Sequence, residues 1–290
     1  MLRILETLSD PGDPGKANED AFGHVKGQAG DHLWVIDGAT DVADGPLIGT
    51  ETGAHWLAQR ASALFAGMAA RHGDDLRGHV REVLEALERD FERERLRVPN
   101  GRHEWPSAAM MLLHVGGGWV RAANFADCGL VLLEDGAAQA QIFGAQHNSR
   151  EARAVSRTAE LIRALAPGEA PFSNAAVMDY LRAARRRQNS KDGYWILGVD
   201  AEAAAHVRLA GFPFSRPVTG LVFSDGFGSL VFDYHRYEPA DFVRRAVAEG
   251  LSPLLGEIRK IEREEDPGCL LWPRFKRHDD ATAILFRAEP

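Results

Sequence analysis

Apolar positions repeat along the chain at two periods, and each period keeps to its own stretches. Arg3–Ser9 alternates apolar and polar residues, the spacing of a half-buried strand. His32–Ile36 is a continuous apolar run that stops at Asp37-Gly38. Ala108–Val115 and Trp119–Ala123 are strand-like runs separated by Gly116-Gly117-Gly118, which predicts a hairpin. Leu130–Leu133 ends at Glu134-Asp135-Gly136, a second turn, and Gln141–Phe143 follows it. His206–Leu209, Gly220–Ser224 and Ala281–Arg287 complete the predicted strands. Helical spacing fills the stretches between them. Thr50–Ala70 carries Trp56, Leu57, Leu64, Phe65 and Met68, and Asp74–Arg97 puts Val80, Leu84, Leu87 and Phe91 on one face. Arg150–Leu165, Ala175–Arg187, Ala240–Glu249 and Pro253–Glu264 are the later helices. Strands joined by tight turns pair antiparallel, and helices arriving in blocks cover sheet faces, so the pattern predicts an α+β fold. With no repeat and no linker, residues 1–290 read as a single domain.

Composition narrows the function classes. The 290 residues are 45% hydrophobic and 26% charged, globular values. Basic residues number 34 against 42 acidic, a net charge of −8, which disfavours nucleic acid as a partner. No apolar run approaches the roughly 20 residues of a membrane helix, and Met1–Asp10 lacks the apolar core of a signal peptide. Two cysteines, Cys128 and Cys269, form neither a disulfide framework nor a four-cysteine zinc site. The expectation is a cytoplasmic monomer without membrane or nucleic-acid contact.

Several enzyme chemistries fail on spacing. A phosphate-binding P-loop needs a glycine five residues before its Gly-Lys pair, and Gly15-Lys16 has Asp10 there. His103-Glu104 leads into Trp105-Pro106 rather than a zinc-binding helix, and no Gly-x-Ser-x-Gly elbow occurs. An arginine six residues after a nucleophilic cysteine is missing, since Glu134 follows Cys128 and Phe275 follows Cys269 at that spacing. Both cysteines therefore read as packing residues. The eleven histidines show no spaced cluster, and His147 and His278 read as surface or packing residues.

Acidic residues sit where apolar strands end. Asp37-Gly38 closes Leu33–Ile36, and Asp225-Gly226 closes Leu221–Ser224. Asp279-Asp280 precedes Ala281–Phe286, and Asp127 lies between two strands. Gathered, these carboxylates would repel unless a cation lay between them. Such an oxygen-only pocket suits Mg²⁺ or Mn²⁺. The plainer reading, that Asp-Gly pairs mark turns, stands level with this one on the residues alone.

Five motifs in order resemble the protein phosphatase 2C family of metal-dependent serine/threonine phosphatases, in its bacterial, stand-alone form. They are Asn18-Glu19-Asp20-Ala21-Phe22, Val35-Ile36-Asp37-Gly38, Ala126-Asp127-Cys128, Phe223-Ser224-Asp225-Gly226 and Asp279-Asp280-Ala281-Thr282. The resemblance runs from about Arg3 to Phe286. It implies a four-layer αββα sandwich, two antiparallel β-sheets flanked by helices, with residues 145–200 as a variable flap. It implies two Mg²⁺ or Mn²⁺ ions, with a third in some members. Asp37 matches the aspartate that bridges two ions, and Gly38 the backbone carbonyl on one of them. Glu19 matches a ligand of that same ion, direct or through water, with Asp20 as its neighbour outside the ligand set. Asp225 and Asp279 match the ligands of the other ion, and Asp127 the aspartate of a third. Asp279 is preferred to Asp280 because the family ligand stands three residues before the threonine, here Thr282.

The implied activity is hydrolysis of phosphoserine and phosphothreonine on proteins by a water activated between the two metals, with Asp37, Asp225 and Asp279 central. Two alternatives are a catalytically weak module that binds phosphoprotein and a metal phosphatase for small phosphoesters. The chain also departs from the family. The usual phosphate-binding arginine position is Gly15, which leaves neighbouring Lys16, Arg3 or a later basic residue to replace it. The histidine that follows Asp-Gly in many members is replaced by Ala39-Thr40-Asp41. The basic run Arg182, Arg185, Arg186, Arg187 and Lys191 lies in the flap and reads as a solvated helix end or as an attractor of anionic phosphoprotein.

Overall fold

The chain opens with three strands, β1 (Leu2–Asp10), β2 (Asp20–Val25) and β3 (Asp31–Gly38), followed by helices α1 (Gly53–His72) and α2 (Leu76–Glu94). A meander of β4 (Ser107–Gly116), β5 (Trp119–Phe125), β6 (Gly129–Glu134) and β7 (Gln141–Phe143) follows. Next come α3 (Ser149–Arg163), α4 (Ala175–Arg185), the two-residue β8 (Leu197–Gly198), β9 (Arg208–Pro213) and β10 (Val218–Phe223). Helices α5 (Asp225–Phe232), α6 (Pro239–Glu249) and α7 (Leu251–Lys260) precede the last strand, β11 (Ala281–Ala288). This is a computed structural model that describes residues 1–49, 52–145, 149–166 and 168–290.

The strands form two antiparallel sheets, ordered β1-β11-β10-β6-β7 and β2-β3-β4-β5-β9, with β8 beside β4. Three packed layers of apolar side chains make the sandwich. In β3, Leu33 and Val35 face the other sheet, while Trp34 and Ile36 face α1 and α2. In β10, Val218 and Val222 face inward, while Leu221 and Phe223 meet α5, α6 and α7. A strand covered on both faces has no polar alternate positions, which is why these segments read as unbroken apolar runs. The result is the α+β, four-layer αββα architecture expected from the sequence.

The differences from expectation have local causes. β2 is short and carries Gly23 and His24, so its sequence shows no strand period. α5 begins at Asp225-Gly226-Phe227-Gly228, which reads as a turn in sequence but is a helix after the N-cap Ser224. His206 closes a short 3₁₀ segment, Ala201–His206, so the strand predicted from His206 starts at Arg208 instead. α2 is shorter than predicted because Asp75 caps it by accepting the Gly78 N–H, and Arg95 leaves to bridge Ile48. The predicted start of the first helix, Thr50, and His147 lie outside the described residues. Thr52 caps α1 by accepting the His55 N–H.

The histidines add a feature that the sequence does not show. No spacing marks them as a cluster, yet the fold gathers four. The rings of His32 and His79 lie 5.4 Å apart, those of His32 and His114 5.0 Å, and those of His72 and His79 5.0 Å. They come from β3, β4, α1 and the first turns of α2, so only tertiary packing joins them. Burial holds His79 down at about 3, with the charges of His32 and His72 adding to it. A base held neutral in the fold binds fewer protons than the unfolded chain. Its destabilising effect is therefore absent above its ordinary value of 6.5 and grows as pH falls toward 3. Replacing His79 by Phe should flatten the acid loss of stability in that window, by up to about 1.4 kcal/mol per pH unit. Urea denaturation at pH 7 and 4.5 checks this; an unchanged pH slope would contradict it.

Candidate metal centre

The acidic residues meet at one end of the sandwich, where the two sheets approach each other. Asp37 lies near the end of β3, directly opposite Asp20 at the start of β2. Asp127 occupies the tight turn between β5 and β6, and Asp225 is the first residue of α5. Carboxylate oxygens of Asp37, Asp127 and Asp225 all lie within 4.8 Å of one another. Asp37 is half-buried, and the other two open to solvent. The turn that presents Asp127 is strained: Ala126 has φ 56°, a region that favours glycine. The Ala126 carbonyl accepts a hydrogen bond from Arg208 at 2.7 Å.

Below this trio a polar seam joins the sheets. Ser224 Oγ donates to Asp20 Oδ2 at 2.8 Å and accepts from the Thr282 N–H at 2.9 Å. Thr282 Oγ1 pairs with Ser9 Oγ at 2.8 Å. Asp20 is 2% exposed, and burial, with the neighbouring Asp280 charge, raises its carboxyl to about 7. Asp280 is also buried; its Oδ2 accepts the Glu19 N–H at 2.8 Å, and burial raises it to about 6.

Glu19 is buried, and Asp279 stands at the rim. Glu19 Oε2 accepts from Thr40 Oγ1 at 2.7 Å. Asp279 Oδ1 accepts from Lys276 Nζ at 2.7 Å, and Lys276 Nζ lies 3.7 Å from Glu19 Oε2. Arg259 on α7 fixes the Asp279 backbone, donating to its carbonyl at 2.8 Å while also binding Asp10 and Glu262. Two glycines permit the close approach of these segments. A Cβ on Gly38 would lie 2.4 Å from the Glu19 carbonyl oxygen, and one on Gly226 would lie 2.0 Å from that of Asp280. Any side chain there would push β3 from β2, or α5 from the segment before β11.

The electrostatics of the centre are those of crowded like charges. Burial raises the Asp37 carboxyl well above its usual range, followed by the charges of Asp225, Asp20, Asp127 and Asp279. Asp225, though open to solvent at the cleft, is also raised, first by the protein that crowds water away from its carboxyl and then by the charges of Asp279 and Asp127. Every donor is an oxygen, so the set fits a hard divalent cation such as Mg²⁺ or Mn²⁺.

Lys16 is not part of this arrangement. Its side chain is 72% exposed and pairs with Asp13 at 3.2 Å. Arg182 and Arg185 of the basic run are tied to the segment after Gly38, donating to the carbonyls of Val42 and Thr40, both at 3.0 Å. Arg186, Arg187 and Lys191 are exposed. His278 Nδ1 pairs with Asp13 at 2.9 Å.

Sequence reasoning missed Lys276, Arg259 and Thr40. Lys276 stands three residues before Asp279, a spacing visible in the sequence but without meaning until the loop folds. Arg259 carries no signal at all, since a charged residue on a helix reads as solvated.

No family model and no curated protein matches the chain in sequence. Its fold matches solved structures over nearly its whole length. The serine/threonine phosphatase PstP/Ppp of Mycobacterium tuberculosis matches with a TM-score of 0.57 at 16% identity, over 100% of this chain and 99% of that one. Serine/threonine phosphatase Stp1 from Staphylococcus aureus matches with a TM-score of 0.56 at 14% identity, over 99% and 96%. The catalytic domain of PstP in complex with 2 manganese ions matches with a TM-score of 0.53 at 17% identity, over 98% and 97%. The chain thus has the fold of bacterial serine/threonine phosphatases.

Proposed function

We propose that the protein is a phosphatase dependent on Mg²⁺ or Mn²⁺ that hydrolyses phosphoserine and phosphothreonine on proteins. The observation that carries this reading is the convergence of Asp37, Asp127 and Asp225 within 4.8 Å, at the sheet junction of this fold. Asp37, Asp225, Asp279, Glu19 and the Gly38 carbonyl would hold two ions, and Asp127 with Asp225 a third. Bound there, the ions supply Lewis acidity toward phosphoryl oxygens and lower the pKa of water. The protein's own contribution is placement. Ser224 and Thr282 hold Asp20 across from Asp37, and Arg259 holds the backbone of Asp279.

A protein nucleophile is not needed and is poorly supplied. Cys128 is fully buried, and burial, then the Asp37 charge, keeps its thiol well above its ordinary range. Cys269 is buried as well. Neither provides a thiolate for a phosphocysteine route.

The test is hydrolysis of p-nitrophenyl phosphate and of phosphoserine and phosphothreonine peptides. Turnover should appear with Mn²⁺ or Mg²⁺, fall to background in EDTA and return when Mn²⁺ is restored. Full turnover in EDTA would reject the reading. Turnover of p-nitrophenyl phosphate without the peptides would favour a small-phosphoester enzyme. Peptide binding without turnover would favour a regulatory module.

A further inference from the structure

We infer that Lys276 is an internal counter-ion of the acidic centre, a protein cation that metal ions must displace in order to load; this rests on the metal-dependent reading above. The Lys276 ammonium is 2.7 Å from Asp279 Oδ1 and 3.7 Å from Glu19 Oε2. Asp37 also lies within its electrostatic reach. These carboxylates belong to the two halves of the proposed centre, Glu19 and Asp37 to one and Asp37 and Asp279 to the other. A single side chain therefore spans both.

The position is built rather than incidental. Only 24% of the Lys276 side chain is exposed, against 72% for Lys16. The loop that carries it is fixed from below by Asp266, which is 3% exposed. Asp266 accepts the backbone N–H groups of Leu270, Leu271 and Trp272 at 2.8–3.1 Å and pairs with Arg274 at 2.8 Å. A long, flexible ammonium held this way gives up favourable solvation for carboxylate partners.

Two consequences follow. Without metal, Lys276 offsets part of the repulsion among the carboxylates and stabilises the fold. With metal, it is a competitor, because an ion reaching Asp279 and Glu19 must break both contacts and push a positive charge aside. Were Lys276 instead to grip substrate phosphate, removing its charge would leave metal affinity unchanged and raise KM.

Calorimetric titration of MnCl₂ into the full chain distinguishes these, using wild type, Lys276→Met and Lys276→Arg. Lys276→Met should bind Mn²⁺ about tenfold more tightly than wild type. It should also melt at a lower temperature without metal and gain more on adding Mn²⁺. Lys276→Arg keeps the charge and should stay close to wild type. Should Lys276→Met fold poorly, Lys276→Gln carries the same expectation. Equal or weaker Mn²⁺ affinity in the charge-removing variants, with wild type binding normally, overturns the inference alone. Absence of Mn²⁺ binding in every variant overturns the metal reading and this inference with it.

Discussion

Asp37→Asn should abolish turnover, by roughly a thousandfold or more, while the protein stays folded. Asp37 is the residue on which the centre converges: it belongs to the trio within 4.8 Å, faces Asp20 across β2 and β3, and lies within reach of Asp279. Losing a group that only supports a metal ligand costs about 10–100-fold, and a ligand shared by two ions should cost more. The fold should survive because the change is isosteric. It also removes one of several mutually repelling carboxylates, so the metal-free variant should melt at the same temperature as wild type or higher. Steady-state kinetics at saturating Mn²⁺, with a melting curve beside them, decide the matter. Near-wild-type turnover would remove Asp37 from the proposed role.

Asp279→Ala and Asp280→Ala should behave oppositely, although the residues are neighbours. Asp279 is at the rim, a third exposed, joined to Lys276 and electrostatically coupled to Asp225. Asp280 is 8% exposed and accepts the Glu19 N–H. Removing the Asp279 carboxylate should weaken Mn²⁺ binding and lower turnover by about a hundredfold or more. Removing that of Asp280 should leave a buried N–H without its acceptor, costing stability on the order of 1–3 kcal/mol and turnover far less. Calorimetric Mn²⁺ titrations and urea denaturation of both variants separate the two roles. Loss of metal binding in Asp280→Ala and its retention in Asp279→Ala would shift the register by one residue.

Much of the sandwich was legible in the sequence because strands covered on both faces leave continuous apolar runs, as in Leu33–Ile36 and Leu221–Phe223. Tight turns at Gly116–Gly118 and Glu134–Gly136 then made the pairing antiparallel. β2 and α5 were not legible. Their residues are set by the centre and by close packing rather than by period: Asp20 faces the centre and Gly23 makes room for the Trp34 ring in one, while Asp225-Gly226 meets the segment before β11 and Gly228 makes room for Phe223 in the other. The acidic residues were readable because each stands where an apolar segment stops. Their supports were not, since Lys276 and Arg259 owe their positions to loop and helix packing across the layers. The histidine cluster failed for the same reason: His32, His72, His79 and His114 are close only in space.

The most direct test of the account is an anomalous diffraction measurement on crystals soaked in Mn²⁺. The account predicts two ions bridged by Asp37, one on the side of Glu19 and the Gly38 carbonyl and the other on the side of Asp225 and Asp279. Crystals that bind Mn²⁺ only away from Asp37, or not at all, would contradict it.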